Sequence, residues 1–479
     1  MSSLATDPVE ALAFRPPAPA PSPTRLGLIK LLGALRRNPL ECWSEDFFCE
    51  PISRVSLPIG RVFVLNDPAA IKHVLVDNAA NYRKDPLQRR VLSAGLADGL
   101  LSAEDKRWEI QRRTLAPLFS ARTVRALAND MQRAVDQLTQ RWLSLSSGAM
   151  VDVAAEITLL TLNVLALTIF SDGLQSDHDE FRLSMTEYFR VAGRIGLLDL
   201  LGAPDFIPRP GRWRIKSTLK YFEGIIDDLI DARRQALESA ATTCRDDLLT
   251  LLLRALDPAT GQPMTVAEVR SNVLTFLSAG HETTANTLTW SLFLLSQSDH
   301  WRSRVEEEAE REFSGPQEGR VDRLVVAKAV VEEALRLYPP IAALSRSAKG
   351  LDRIGSHDVK AGSLIVVSPY VLHRHRRLWH QPDVFDPGRF LGEAKRSIER
   401  FAYLPFGVGP RICIGSSFAL QEATIALSSL ISRFEFQLER APQVWPLMNV
   451  TVRPAHGLPM RITPNARLAT EAQISLRPG

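Results

Sequence analysis

Apolar residues recur every three to four positions over long stretches, at 107–119, 121–145, 153–170 and 216–237, and that spacing predicts amphipathic helices. A longer helix is predicted over 266–297, and an apolar one over 415–434. Alternation and β-branching predict strands near 59–64, 363–367 and beyond Met448, and Asp67-Pro68 starts a further helical turn. Two segments lack a period. Residues 85–105 read as a long connection of the kind that contacts substrate. Residues 203–212, broken by Pro204, Pro208 and Pro210, are expected to form a turn able to move as a lid. The fold class is mainly α, with small β-sheets.

Composition narrows the organisation. Of 479 residues 45% are hydrophobic and 23% charged, without a polar block that would separate domains, so residues 26–479 are expected to form a single domain. Residues 1–25 turn proline-rich from Arg15 to Pro23 and are expected to be a flexible leader. They contain no apolar run of membrane-spanning length, so no transmembrane anchor is expected. The next stretch, 26–35, is weakly amphipathic beside Lys30, Arg36 and Arg37; it is expected to pack on the body, and contact with a membrane surface is the other option.

The net charge is +4, with lysines and arginines interspersed among acids, which argues against nucleic acid as a partner. Cys42, Cys49, Cys244 and Cys413 show neither a CxxC pair nor zinc spacing, and a reducing cytoplasm is expected.

The candidate chemistry begins at Phe406-Gly407-Val408-Gly409-Pro410-Arg411-Ile412-Cys413-Ile414-Gly415, a glycine-rich loop opening into a helix. Glycines let backbone approach a flat ligand, while helix N-terminal N–H groups and Arg411 favour a thiolate. A single cysteine is more often a small core hydrophobe; the neighbours decide otherwise. The segment resembles the haem-binding signature of cytochrome P-450 enzymes, with phenylalanine, both glycines, arginine, cysteine and final glycine in register. The resemblance implies that Cys413 is the axial ligand of haem iron, that Phe406 tempers its electron donation, and that Arg411 contacts a haem propionate. A thiolate in that place favours O–O cleavage.

Other segments extend the likeness. Glu333 and Arg336, three apart on a helix, would alone be a solvated surface pair. In the family this spacing joins a later arginine, here Arg389 in Pro387-Gly388-Arg389-Phe390, where Gly388 replaces the usual glutamate. Trp108 and Arg112 project from one side of a helix, and with Arg346 they match propionate-binding positions. The polar island Ala279-Gly280-His281-Glu282-Thr283-Thr284 interrupts the long apolar helix, although threonine there could simply bond the preceding turn. It resembles the family's oxygen-activating stretch: Ala279 and Gly280 on the substrate side, Gly280 giving O2 room, Thr283 steadying the oxygen under reduction and Glu282 feeding protons. His281 is not expected to bind iron, since the cysteine fills the axial position.

The resemblance therefore implies a cytochrome P-450 fold, with haem b between a long distal helix and the cysteine loop. It implies a monooxygenase that takes O2 and a hydrophobic substrate, fatty acid, terpenoid or steroid. NAD(P)H would supply electrons indirectly, through a separate ferredoxin with its reductase or a flavodoxin-type donor, and a soluble, bacterial-type member is expected. A peroxide-driven peroxygenase is disfavoured by the pair Glu282 and Thr283. A haem sensor would bind CO without consuming NAD(P)H on adding substrate.

Overall fold

The apolar periods become helices close to the expected places: α1 is Leu28–Arg37, α2 Asp105–Leu115, α3 Ala128–Leu143, α4 Val153–Phe170, α5 Pro210–Glu238, α6 Val266–Ser296, α7 Val325–Leu337 and α8 Ser416–Arg433. The computed structural model describes residues 14–57, 60–86, 88, 98–171, 210–239, 246–439 and 444–465, with backbone alone for 57 and 210–219. The expected lid over 203–209, Cys244 and much of the 85–105 connection lie outside the described residues.

Local chemistry sets the helix bounds. The period over 107–119 closes in a 3-10 turn at Ala116–Phe119, where Pro117 has no N–H to continue the ladder. The helix expected from 216 starts earlier, because Pro210 is tolerated in a first turn. Thr265 begins α6 with a capping box: its hydroxyl accepts from Glu268 N at 3.3 Å, and the Glu268 carboxylate accepts from Thr265 N at 3.0 Å.

α4 is apolar on every side because neighbours cover it. It is the one described helix long and apolar enough to cross a membrane, and most of it is buried, packed against α3 and α6. Close by, α8 lies against α3, α6 and α7, so the helix that follows the cysteine loop is anchored in the core.

Among the described residues twelve strands accompany the helices: β1 Ile52–Leu57, β2 Gly60–Leu65, β3 Tyr82–Arg83, β4 Ala149–Asp152, β5 Leu344–Ala348, β6 Asp352–Ile354, β7 His357–Val359, β8 Leu364–Val367, β9 Phe434–Leu438, β10 Pro446–Met448, β11 Val452–Pro454 and β12 Pro459–Pro464. The largest sheet has the order β1-β2-β8-β5-β3 and is mixed, since β2 and β8 run parallel while the other neighbours are antiparallel. It places Arg346, on β5, opposite Ile365. Hairpin β10–β11 is pinned beneath α6, where Trp290 Nε1 donates to Val452 O at 3.2 Å and Val452 N to Pro340 O at 3.0 Å.

The leader departs from expectation from Phe14 onward. Phe14 meets Phe293 edge-on at 6.0 Å, and its carbonyl accepts from Phe385 N. Tyr338, fully buried, donates its hydroxyl to Pro17 O at 2.8 Å. Prolines set φ and leave carbonyls free, so a proline-rich segment can lie as an extended strap at little entropic cost.

Candidate functional site

Cys413 sits where a loop tightens before α8. Its N–H donates to Phe406 O at 2.9 Å, and Ile412 N donates to Gly409 O at 3.1 Å. Gly407 and Gly409 have φ of +70° and +79°, values that disfavour any side chain. At Gly409 a Cβ would stand 1.9 Å from Leu75 O, so glycine is required by space as well. The thiol is accessible to solvent, yet protein crowds it. Burial pushes the Cys413 pKa up, while the Gly415 N–H and the Arg112 guanidinium pull it back.

The basic residues gather beside this loop. Arg411 lies over the Trp108 ring at 4.3 Å, donates to Ala103 O at 3.2 Å and pairs with Glu104 at 3.3 Å. Arg112, one turn after Trp108 on α2, faces Cys413 closely enough to be charge-coupled to it. Burial, then Arg411, lowers the Arg346 pKa; its Nη1 donates to Ser345 O at 2.7 Å, and Arg346 forms no ion pair among the described residues.

Lys84 joins the cluster without having been singled out in the sequence. It bonds Leu101 O at 2.5 Å and pairs with Glu104 at 3.0 Å, while burial and Arg411 bring its pKa down to about 8. A single carboxylate, Glu104, thus answers both Lys84 and Arg411. Neither Lys84 nor Glu104 belongs to a recognisable local motif, and they stand 20 positions apart in the sequence.

Glu333, Arg336 and Arg389 also meet. Glu333 and Arg336 are completely buried and joined in bidentate fashion at 2.6 and 2.7 Å. The remaining Arg336 donors reach the carbonyls of His373, Pro382 and Val384. Arg389 Nε stands 3.7 Å from Glu333 and 4.0 Å from Asp386. Gly388 has its own reason: the Asp386 carboxylate accepts its N–H, and a Cβ there would approach Asp386 Oδ1 to 2.8 Å. Asp386 thus supplies a carboxylate near Arg389 in a segment lacking the family's usual glutamate.

Along α6 the expected residues divide between two directions. Ala279 is exposed within an otherwise mostly buried helix, and Thr283 follows one turn later on the same face. The Thr283 hydroxyl donates to Ala279 O at 2.7 Å. Glu282 does not bond Thr283; its carboxylate accepts from the Thr451 hydroxyl at 2.6 Å. A Cβ at Gly280 would meet the Leu165 side chain of α4 at 3.2 Å, so the glycine also eases the close approach of α4 and α6. His281 is buried in the core, and burial takes its pKa down to about 4. Its carbonyl accepts from Thr161 at 3.0 Å.

Two observations test the fit to haem. One is an accessible thiol presented by a tight loop at the start of a core helix. The other is a surplus of partly buried cations, Lys84, Arg112, Arg346 and Arg411, of which Glu104 pairs with just two, as a dianionic ligand such as a pair of propionates would need. The residues fit the group.

Known proteins agree. Cyclooctat-9-en-7-ol 5-monooxygenase of Streptomyces melanosporofaciens is 31% identical over 437 residues, covering 88% of this chain and 91% of that protein. Cytokinin hydroxylase of Arabidopsis thaliana is 30% identical over 410 residues, 84% of this chain and 79% of the other. Relatives thus come from a bacterium and a plant, and the expected bacterial-type membership is not singled out. The crystal structure of the cytochrome P-450DA heme domain superposes with a TM-score of 0.80 at 25% identity, covering 94% of this chain and 99% of that one. The profile of the cytochrome P-450 family matches residues 16–459, and the chain belongs to that family of haem-dependent monooxygenases.

Proposed function

We propose that this enzyme inserts one oxygen atom from O2 into a C–H bond of a terpenoid-type substrate, with electrons from a separate ferredoxin and its reductase, and that Cys413 is the residue that would hold haem iron. The observation that carries the reading is the Cys413 loop, in which close-packed glycines and the start of α8 present one sulfur beside Arg112. Haem, when bound, supplies the O2-activating and oxidising chemistry.

The protein's own residues do the rest. Arg112, Arg346, Arg411 and Lys84 would hold the propionates, with Trp108 buttressing Arg411 through its ring face. Glu333, Arg336 and Arg389 brace the polypeptide behind the cysteine loop. The one proton of the Thr283 hydroxyl is spent on Ala279 O, so its lone pairs remain to accept from a protonated group on the open face of α6. Glu282, the residue before Thr283, is the acid that replenishes such protons.

Three further inferences belong to this reading. The two Streptomyces relatives, cyclooctatin synthase and cyclooctat-9-en-7-ol 5-monooxygenase, support a cyclic terpenoid alcohol over a fatty acid, and Ala279 leaves room for a bulky skeleton. Exposed Lys106, Arg107, Arg122 and Arg125, of which Arg107 and Arg125 pair with Asp98 and Asp322, would suit an acidic electron donor, for which steering would weaken with salt. The described cysteines are free thiols, in keeping with a cytoplasmic setting.

The spectrum of the dithionite-reduced protein with CO tests the core of this proposal. Wild type should give the strongly red-shifted Soret band of thiolate ligation, and Cys413→Ser should lose it; an ordinary haem–CO band in both would overturn the assignment. Turnover of a cyclic diterpene alcohol against dodecanoate then decides the substrate class.

A further inference from the structure

Glu282 is held by a residue near the other end of the chain. Thr451 is buried in the turn between β10 and β11; it donates its hydroxyl to Glu282 Oε1 at 2.6 Å and accepts from Asn286 Nδ2 at 3.0 Å. A threonine hydroxyl has one proton, and an amide nitrogen can only donate. The direction of the chain is therefore fixed, from Asn286 through Thr451 to Glu282. Glu282 and Asn286 stand one turn apart on α6, so Thr451 bridges neighbours on a single helix face. The same bond turns the carboxylate towards the hairpin, while Thr283 is occupied with Ala279 O.

We infer that Thr451 is a positioning residue for proton delivery, setting where the Glu282 carboxylate stands relative to Thr283. This rests on the reading of Glu282 as the acid. Stapling of the hairpin is not the main duty of the hydroxyl, because that work is already done by the β10–β11 pairing, the Trp290 to Val452 bond and the Val452 to Pro340 bond. Thr451→Val, which keeps the shape and removes the donor, should therefore fold.

The test uses the holoenzyme with four variants: Thr451→Val, Thr451→Ser, Glu282→Gln and Glu282→Ala. Independently of turnover, a double-mutant cycle between Thr451→Val and Glu282→Ala, read in denaturant unfolding, should show coupling of about tenfold in the unfolding constant, as for a hydrogen bond to a charged group. In turnover, a plant-type ferredoxin with its reductase supplies electrons, and a cyclic diterpene alcohol or dodecanoate serves as probe. Thr451→Val should lower product formed per NAD(P)H several-fold and change the solvent isotope effect with KM unmoved, and Thr451→Ser should restore both. Absence of coupling, or wild-type yield in Thr451→Val while Glu282→Gln is impaired, overturns the inference alone. Wild-type yield in Glu282→Gln overturns the acid role of Glu282 and the inference with it.

Discussion

Gly409 passes so close to Leu75 that a methyl group on its Cα would stand 1.9 Å from the Leu75 carbonyl oxygen. Gly407, two residues earlier, has similar backbone geometry but open surroundings, with Leu344 Cδ1 at 3.6 Å. The two alanine variants should therefore behave differently. Gly407→Ala carries backbone strain of about 1 kcal/mol and should keep most of its haem. Gly409→Ala has to displace backbone and should lose haem binding, as measured by haem per polypeptide and the reduced-CO spectrum.

Glu333 gives a prediction about stability. Its carboxylate is the charged partner of an arginine with no solvent access. Glu333→Gln leaves a buried guanidinium without its counter-charge, which costs about 3–5 kcal/mol. Urea unfolding should show that loss. Lys395→Met, on the partly exposed Glu332 pair, should cost less than about 1 kcal/mol.

Two buried histidines make the protein acid-sensitive. Burial holds the pKa of His281 to about 4; burial, with Arg336 and Arg374 nearby, holds that of His373 to about 3. His373 Nε2 accepts from Leu404 N at 2.8 Å, a bond that requires the neutral ring nitrogen. The unfolded chain binds protons at these rings near pH 6.5 and the folded protein does not, so stability is full above pH 6.5 and falls as pH drops towards 3–4. Melting temperature against pH should decline through that window.

Glu422 works in the opposite sense. It is buried on α8, its carboxyl oxygens have no hydrogen-bond partner among the described residues, and burial raises its pKa well above the usual range. The folded protein keeps a proton that the unfolded chain releases near pH 4.3, so stability declines as pH rises from there towards the raised value. Glu422→Gln should be more stable than wild type at neutral pH and lose the advantage near pH 4, by calorimetry.

The helices and the cysteine loop were legible in sequence because their signals are local. Periodicity marked α4 and α6, and the spacing of Phe406, Gly407, Gly409 and Cys413 carried the site. Partnerships across the chain were not legible. Lys84 and Glu104 acquire meaning when they meet Arg411, and Thr451 meets Glu282 at a separation of 169 positions along the chain. The packing of Gly280 against Leu165 was not legible for a related reason: a period tells which residues share a face, but packing alone tells which face meets Leu165. The strap from Phe14 was missed because proline-rich composition resembles a free tail whether or not something receives it.

That strap also has a bearing on biosynthesis. Phe14 and Pro17 leave the ribosome well before Phe293, Tyr338 and Phe385, which make their sites and appear hundreds of residues later. The strap must wait for these later partners, so a segment translated early is among the late ones to be seated.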